Sequence, residues 1–158
     1  MMYKRFRTRQ GGATALRRSA INICLASLTL GLAASLPTAS AESLKERRAQ
    51  AAEEASLQNE ANYTANICGT AIRATILWST TTTWPANQSI AKACDGALGA
   101  IEAMCRTGRE ADVQAKIKSF QCLGDGSGPS LKGGTMTYGA TPGTNGFQQT
   151  RNYLERQL

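Results

Sequence analysis

Four groups of residues in the 158-residue sequence combine types and spacings that chemistry could use. Ser89-Ile90-Ala91-Lys92 sets a hydroxyl and an amine one helical turn apart, the arrangement in which a lysine takes a serine's proton and leaves a nucleophilic oxygen. Asp95 and Glu102, seven residues apart, share a helix face and could work as an acid and a base, although about 10.5 Å of helix rise separates their backbones. Trp78 and Trp84 flank four threonines, offering aromatic faces and hydroxyls to a sugar or a peptide, or anchoring a loop on a core. Gly124-Asp125-Gly126-Ser127-Gly128 could cradle an anion or calcium, but a single carboxylate is a poor set for a hard cation and a turn is the simpler reading.

None of these makes a complete catalytic set. S-x-x-K is the serine–lysine pair of penicillin-recognising enzymes, and Lys132-Gly133-Gly134-Thr135 faintly echoes their K-T-G element. That fold needs a much longer chain, however, and the S-D-N element is missing. The sequence holds no histidine, which removes Ser-His-Asp and Cys-His pairs, imidazole acid/base chemistry and His-ligated metals. The length excludes barrel and doubly wound enzyme folds, which take roughly 200 residues or more.

Residues 1–41 have the pattern of an export signal. Lys4, Arg5, Arg7, Arg9, Arg17 and Arg18 precede an uncharged apolar run from Ser19 to Leu36, and Pro37 with Ala39-Ser40-Ala41 sets up cleavage before Glu42. An uncut membrane anchor is the rival, at a marginal length for a span. Arg17-Arg18 suggests a twin-arginine signal, but Ala20-Ile21-Asn22 fits poorly, so the general secretory route is expected. Cleavage would remove six of the 18 basic residues and none of the 11 acids, taking the net charge from +7 to +1. The basicity then belongs to the leader, and neither nucleic acid nor a stable membrane span is expected of the mature chain. Asn62-Tyr63-Thr64 and Asn87-Gln88-Ser89 are glycosylation sequons only in a eukaryotic pathway; the long basic start favours a bacterial periplasm.

Cys24 would leave with the leader. Cys68, Cys94, Cys105 and Cys122 remain, an even number bound for an oxidising compartment, and read as two disulfides. A tetrathiolate zinc site needs closely spaced pairs, and separations of 26, 11 and 17 do not supply them. No metal or other cofactor is expected.

The elements that must hold these residues read as helices. Residues 42–62, rich in Ala, Glu, Gln and Arg, predict an exposed helical arm, either solvated or used for docking or oligomerisation. Tyr63, Ile67, Ala71, Ala74 and Trp78 predict a helix over 63–78, against β-branched content that favours a strand. Ile90, Cys94, Ala97, Leu98, Ile101, Met104 and Cys105 mark a helix over 88–106, with Gly108 as its stop. A third helix over 110–121 carries Val113, Ile117 and Phe120 on one face. Eight of the 15 glycines lie between Gly124 and Gly146, which predicts irregular chain with one short strand at Gly134–Tyr138. Phe147, Leu154 and Leu158 share a face of a closing helix capped by Thr144 or Asn145.

If 88–106 and 110–121 form an antiparallel hairpin, Cys94 and Cys122 lie level across it. Cys105 is then about 16 Å of helix away from Cys122. The expected pairs are therefore Cys94–Cys122 and Cys68–Cys105. The expectation as a whole is a mainly α, disulfide-stapled bundle of three to four helices over 63–158, exported to the periplasm or the extracellular space. It would act as a non-catalytic module contacting a protein or cell-envelope partner. A cell-wall hydrolase using Ser89 and Lys92, and an adaptor oligomerising through the arm, are the alternatives.

Overall fold

The structure, a computed structural model, describes residues 43–158; the expected leader, its cleavage site and Cys24 lie outside the described residues. Helix α1 (Leu44–Cys68) opens with a capping box, in which Ser43 Oγ accepts from the Glu46 amide and the Glu46 carboxylate accepts from the Ser43 amide. It runs without interruption through the segment read as an arm and ends at Gly69, whose φ of 60° is left-handed. Its buried stripe is Leu57, Ala61, Thr64 and Cys68. Small residues dominate that stripe, so the eye is drawn instead to Tyr63, which is exposed.

The expected helical bundle is wrong. Strand β1 (Arg73–Ile76) follows α1 where a helix to Trp78 was expected, and the β-branched content of 70–76 decides the matter once Gly69 has stopped the helix. A short 3₁₀ turn, Trp78–Thr80, leads into the loop before α2 (Ile90–Met104), with Ser89 at its N-cap. The chain turns over Cys105–Arg109, with Gly108 at φ 88°, into α3 (Glu110–Lys116). Helix α3 is seven residues long, because Ile117 already has extended backbone and β2 (Ser119–Leu123) begins. Val113, Ile117 and Phe120 are all buried, but at this junction their helical spacing spans a helix and a strand.

The glycine-rich tail also holds more regular structure than one strand. β3 (Gly128–Lys132) and β4 (Thr135–Gly139) form a hairpin closed by Gly133-Gly134. Both glycines have positive φ, 58° and 82°, as a two-residue turn that follows the right-handed twist requires. Helix α4 (Phe147–Gln157) closes the chain; its N-cap is Gly146, while Asn145 Oδ1 accepts from the Phe147 amide at 3.3 Å.

The fold is mixed α/β: a four-stranded sheet of order β1-β2-β4-β3, parallel except for β3 against β4. Register puts Ala74, Ile76, Phe120, Cys122, Met136 and Tyr138 on one face, where all but the half-buried Ala74 are buried. Leu98, Ile101 and Leu154 from the helices complete that core, so the helices cover one face of the sheet and, among the described residues, nothing packs across the other. The structure pairs Cys68 with Cys105 and Cys94 with Cys122. The first bridge ties the C-terminal ends of α1 and α2, and the second ties α2 to the inner face of β2. No hairpin of two long helices is involved: Cys122 reaches Cys94 because a strand carries it beneath α2. Two disulfides are the mark of an oxidising environment outside the cytosol. Among the described residues, no helix is long and apolar enough to cross a membrane.

Candidate functional site

Helix α2 is the frame on which most of the chemically interesting residues sit, and its N-terminus is held from outside. Ser89 Oγ accepts from the Lys92 amide at 3.1 Å and donates to Glu53 Oε2 at 2.7 Å. The same Glu53 oxygen accepts from the Ala91 amide at 2.9 Å. A carboxylate from α1 and the serine hydroxyl thus together satisfy the first turn of α2 and complement its dipole. Ser89 is occupied as a cap, and the spacing to Lys92 is that of the N-cap to N3 amide. Lys92 itself is exposed.

Asp95 is also exposed, whereas Glu102 is half-buried and accepts from Thr64 Oγ1 at 3.1 Å. Thr64 is fully buried and also donates to the Glu60 carbonyl, so it bridges α1 to α2. Burial raises the Glu102 carboxyl above its ordinary range, against the lowering effects of Thr64 and Arg106. The two indoles lie half-buried against the core. Trp78 Nε1 donates to Glu54 at 2.7 Å and Trp84 Nε1 to the Gln88 carbonyl at 2.9 Å, so both tie the 77–89 loop to its surroundings. Asp125 accepts from the amide and hydroxyl of Ser127, bonds that hold its carboxyl below the ordinary value, and it forms a local turn. Among the described residues, no group of three or more His, Cys, Asp or Glu is placed to hold a metal ion.

A groove of about 840 Å³ runs between the start of α2, where Asn87, Gln88, Ser89, Lys92 and Ala93 line it, and the segment entering α4. From that second side come Thr141, Thr144, Asn145, Phe147, Gln148 and Gln149, with Tyr138 reaching it from the sheet. Close approach of backbone builds it. A Cβ at Gly96 would overlap the Asn145 carbonyl, and one at Gly146 would overlap the tip of the Tyr138 ring, so the loop lies directly on α2 and on the phenol. The Tyr138 side chain is 1% exposed, while the buried side-chain polar atom without a partner among the described residues is Thr150 Oγ1 on α4. The lining mixes amides and hydroxyls with the apolar side chains of Ala93 and Phe147 and one cation, Lys92.

Of the residues singled out from sequence, Ser89 and Lys92 reach this groove, while Trp78, Trp84, Asp95 and Glu102 do not line it. Sequence reading missed Glu53, Tyr138, Gln148 and Gln149. Tyr138 ended the one strand that was expected, but nothing local says that it points at the start of α2. No family model, curated protein or solved structure matches the chain.

Proposed function

We propose that the chain is an exported, non-catalytic binding module of the periplasm or the extracellular space, and that the groove between α2 and the 141–149 segment holds a polar ligand presented by a protein partner or the cell envelope. The observation that carries this reading is the groove itself, in which the tip of the Tyr138 ring packs on Gly146 and the start of α2 and the 141–149 segment present amides and hydroxyls beside Phe147 and Lys92. Asn, Gln and Thr side chains offer donors and acceptors together, which suits peptide amides or sugar hydroxyls, while Lys92 suits a carboxylate on the same ligand. The leader pattern and the two disulfides support export.

Strand addition by a partner is disfavoured at both sheet edges. At β1, the Gln58 amide donates to the Ile72 carbonyl and accepts from the Ala74 amide, as a neighbouring strand would. At β3, Leu131 donates to Tyr153 Oη, and Pro129, two residues earlier on the same outward side, has no N–H to offer. The groove is the better place for recognition.

Titrating isotope-labelled mature chain, residues 42–158, with soluble glycan–peptide fragments of cell wall tests the reading. Amide shifts are expected at 87–93 and 138–149, and Tyr138→Phe should weaken binding several-fold without lowering Tm. Shifts elsewhere, or none, would overturn it. Exposure to a fluorescent penicillin should leave no adduct; labelling abolished by Ser89→Ala would put the hydrolase in its place.

A further inference from the structure

The open face of the sheet carries a pattern that the groove does not explain. Register places Arg73, Ser119, Thr135 and Lys132 in one row across all four strands, and Thr75, Gln121, Thr137 and Ser130 in the next. Three inter-strand steps of about 4.8 Å separate the two cations by about 14 Å. Between them the Ser119 and Thr135 hydroxyls are 2.9 Å apart, and the Gln121 amide makes no hydrogen bond among the described residues. Arg73 and Lys132 are exposed and form no ion pair among the described residues. Neither row contains an acid. Asp125 lies at the far end, where its loop folds over Gly139. Beside Arg73 there is a hollow of about 560 Å³, lined by Arg73, Lys118, Ser119 and the amides of Gln58 and Asn62.

We propose that this face binds an anionic polysaccharide: the hydroxyl and amide rows hydrogen-bond its sugar hydroxyls, while Arg73 at one edge and Lys132 at the other pair with its acidic substituents. The charge pattern selects an anion, and the residues between the cations select its kind. The rows hold no aromatic side chain on which a base could stack, as a nucleic-acid platform needs. They hold no methionine or aromatic anchor of the sort that centres a protein interface. They offer no apolar residue to enter a membrane, and the next β2 position on this face, Leu123, is half-buried. A flat row of hydroxyls and an unused amide matches a polyol.

Affinity electrophoresis of the full mature chain through gels containing polygalacturonate, with neutral dextran as reference, reads the interaction. Retardation is expected only with the polyanion and should weaken with added salt, because exposed charges are screened over about 8 Å at physiological ionic strength. Arg73→Ala with Lys132→Ala should lose at least tenfold in affinity, and Arg73→Lys with Lys132→Arg should recover it. Lys45→Ala with Arg48→Ala, which removes the same charge from the start of α1, and Tyr138→Phe in the groove should change nothing. Retardation equal for both double-alanine variants, no retardation at all, or binding of equal strength to oligothymidine or phosphatidylglycerol vesicles would overturn the proposal. Retention of Tm and of both disulfides in each variant keeps loss of fold from imitating loss of binding.

Discussion

The Glu53 carboxylate and the Ser89 hydroxyl converge on the first turn of α2, where Ser89, the serine of the S-x-x-K spacing, acts as the helix N-cap. Removing either leaves α2 amides without an acceptor. Glu53→Ala should cost about 1–2 kcal/mol and Ser89→Ala about 1 kcal/mol in denaturant unfolding, and the pair should be non-additive because they share partners. Glu102 behaves oppositely to a salt-bridged acid. Burial raises its folded-state value above the unfolded one, and the nearby Asp95 and Glu60 add to this against Arg106 and Thr64. The folded protein therefore holds this proton more tightly than the unfolded chain does. Stability from this group is fullest below the ordinary carboxylate range and falls as pH rises to the raised value. Glu102→Gln should flatten Tm against pH in that window, while wild type declines across it.

At the scale of elements, the β3–β4 hairpin and the two sealed edges decide the behaviour of the sheet. Alanine at Gly133 or Gly134 must adopt positive φ, and each substitution should cost about 1–2 kcal/mol in thermal or denaturant unfolding. Gln58→Ala would leave the Ile72 carbonyl and the Ala74 amide of an edge strand unpaired. Concentration-dependent association, read by light scattering, is expected for that variant but not for wild type. These features explain why the elements were only partly legible. Helix α2 announces itself through an apolar period that acts within one segment. The sheet does not, because 113, 117 and 120 keep a helical spacing across a helix–strand junction, and a glycine-rich stretch looks irregular until the Gly-Gly pair is seen as a hairpin turn.

For the whole molecule, the bridges tie layers that meet only in the tertiary structure. Cys94→Ala with Cys122→Ala removes a link of sequence separation 28 between α2 and the sheet, and should cost about 3–4 kcal/mol in denaturant midpoint experiments. Cys68→Ala with Cys105→Ala, at separation 37, should cost a similar amount. What the sequence determined alone is what residue type and local spacing can express: no imidazole chemistry, an even cysteine set outside the leader pattern, the core face of α2, and the turn at Gly108. Tertiary structure decided that the chain is α/β, that Glu53 of α1 caps α2, that Tyr138 meets the 141–149 segment, and that the helices among the described residues cover one sheet face only. Hydrogen bonds inside a helix join residues four apart and leave a trace in sequence. Strand pairing, cross-element caps and grooves join residues tens of positions apart, and their energies exist only once the chain has closed on itself.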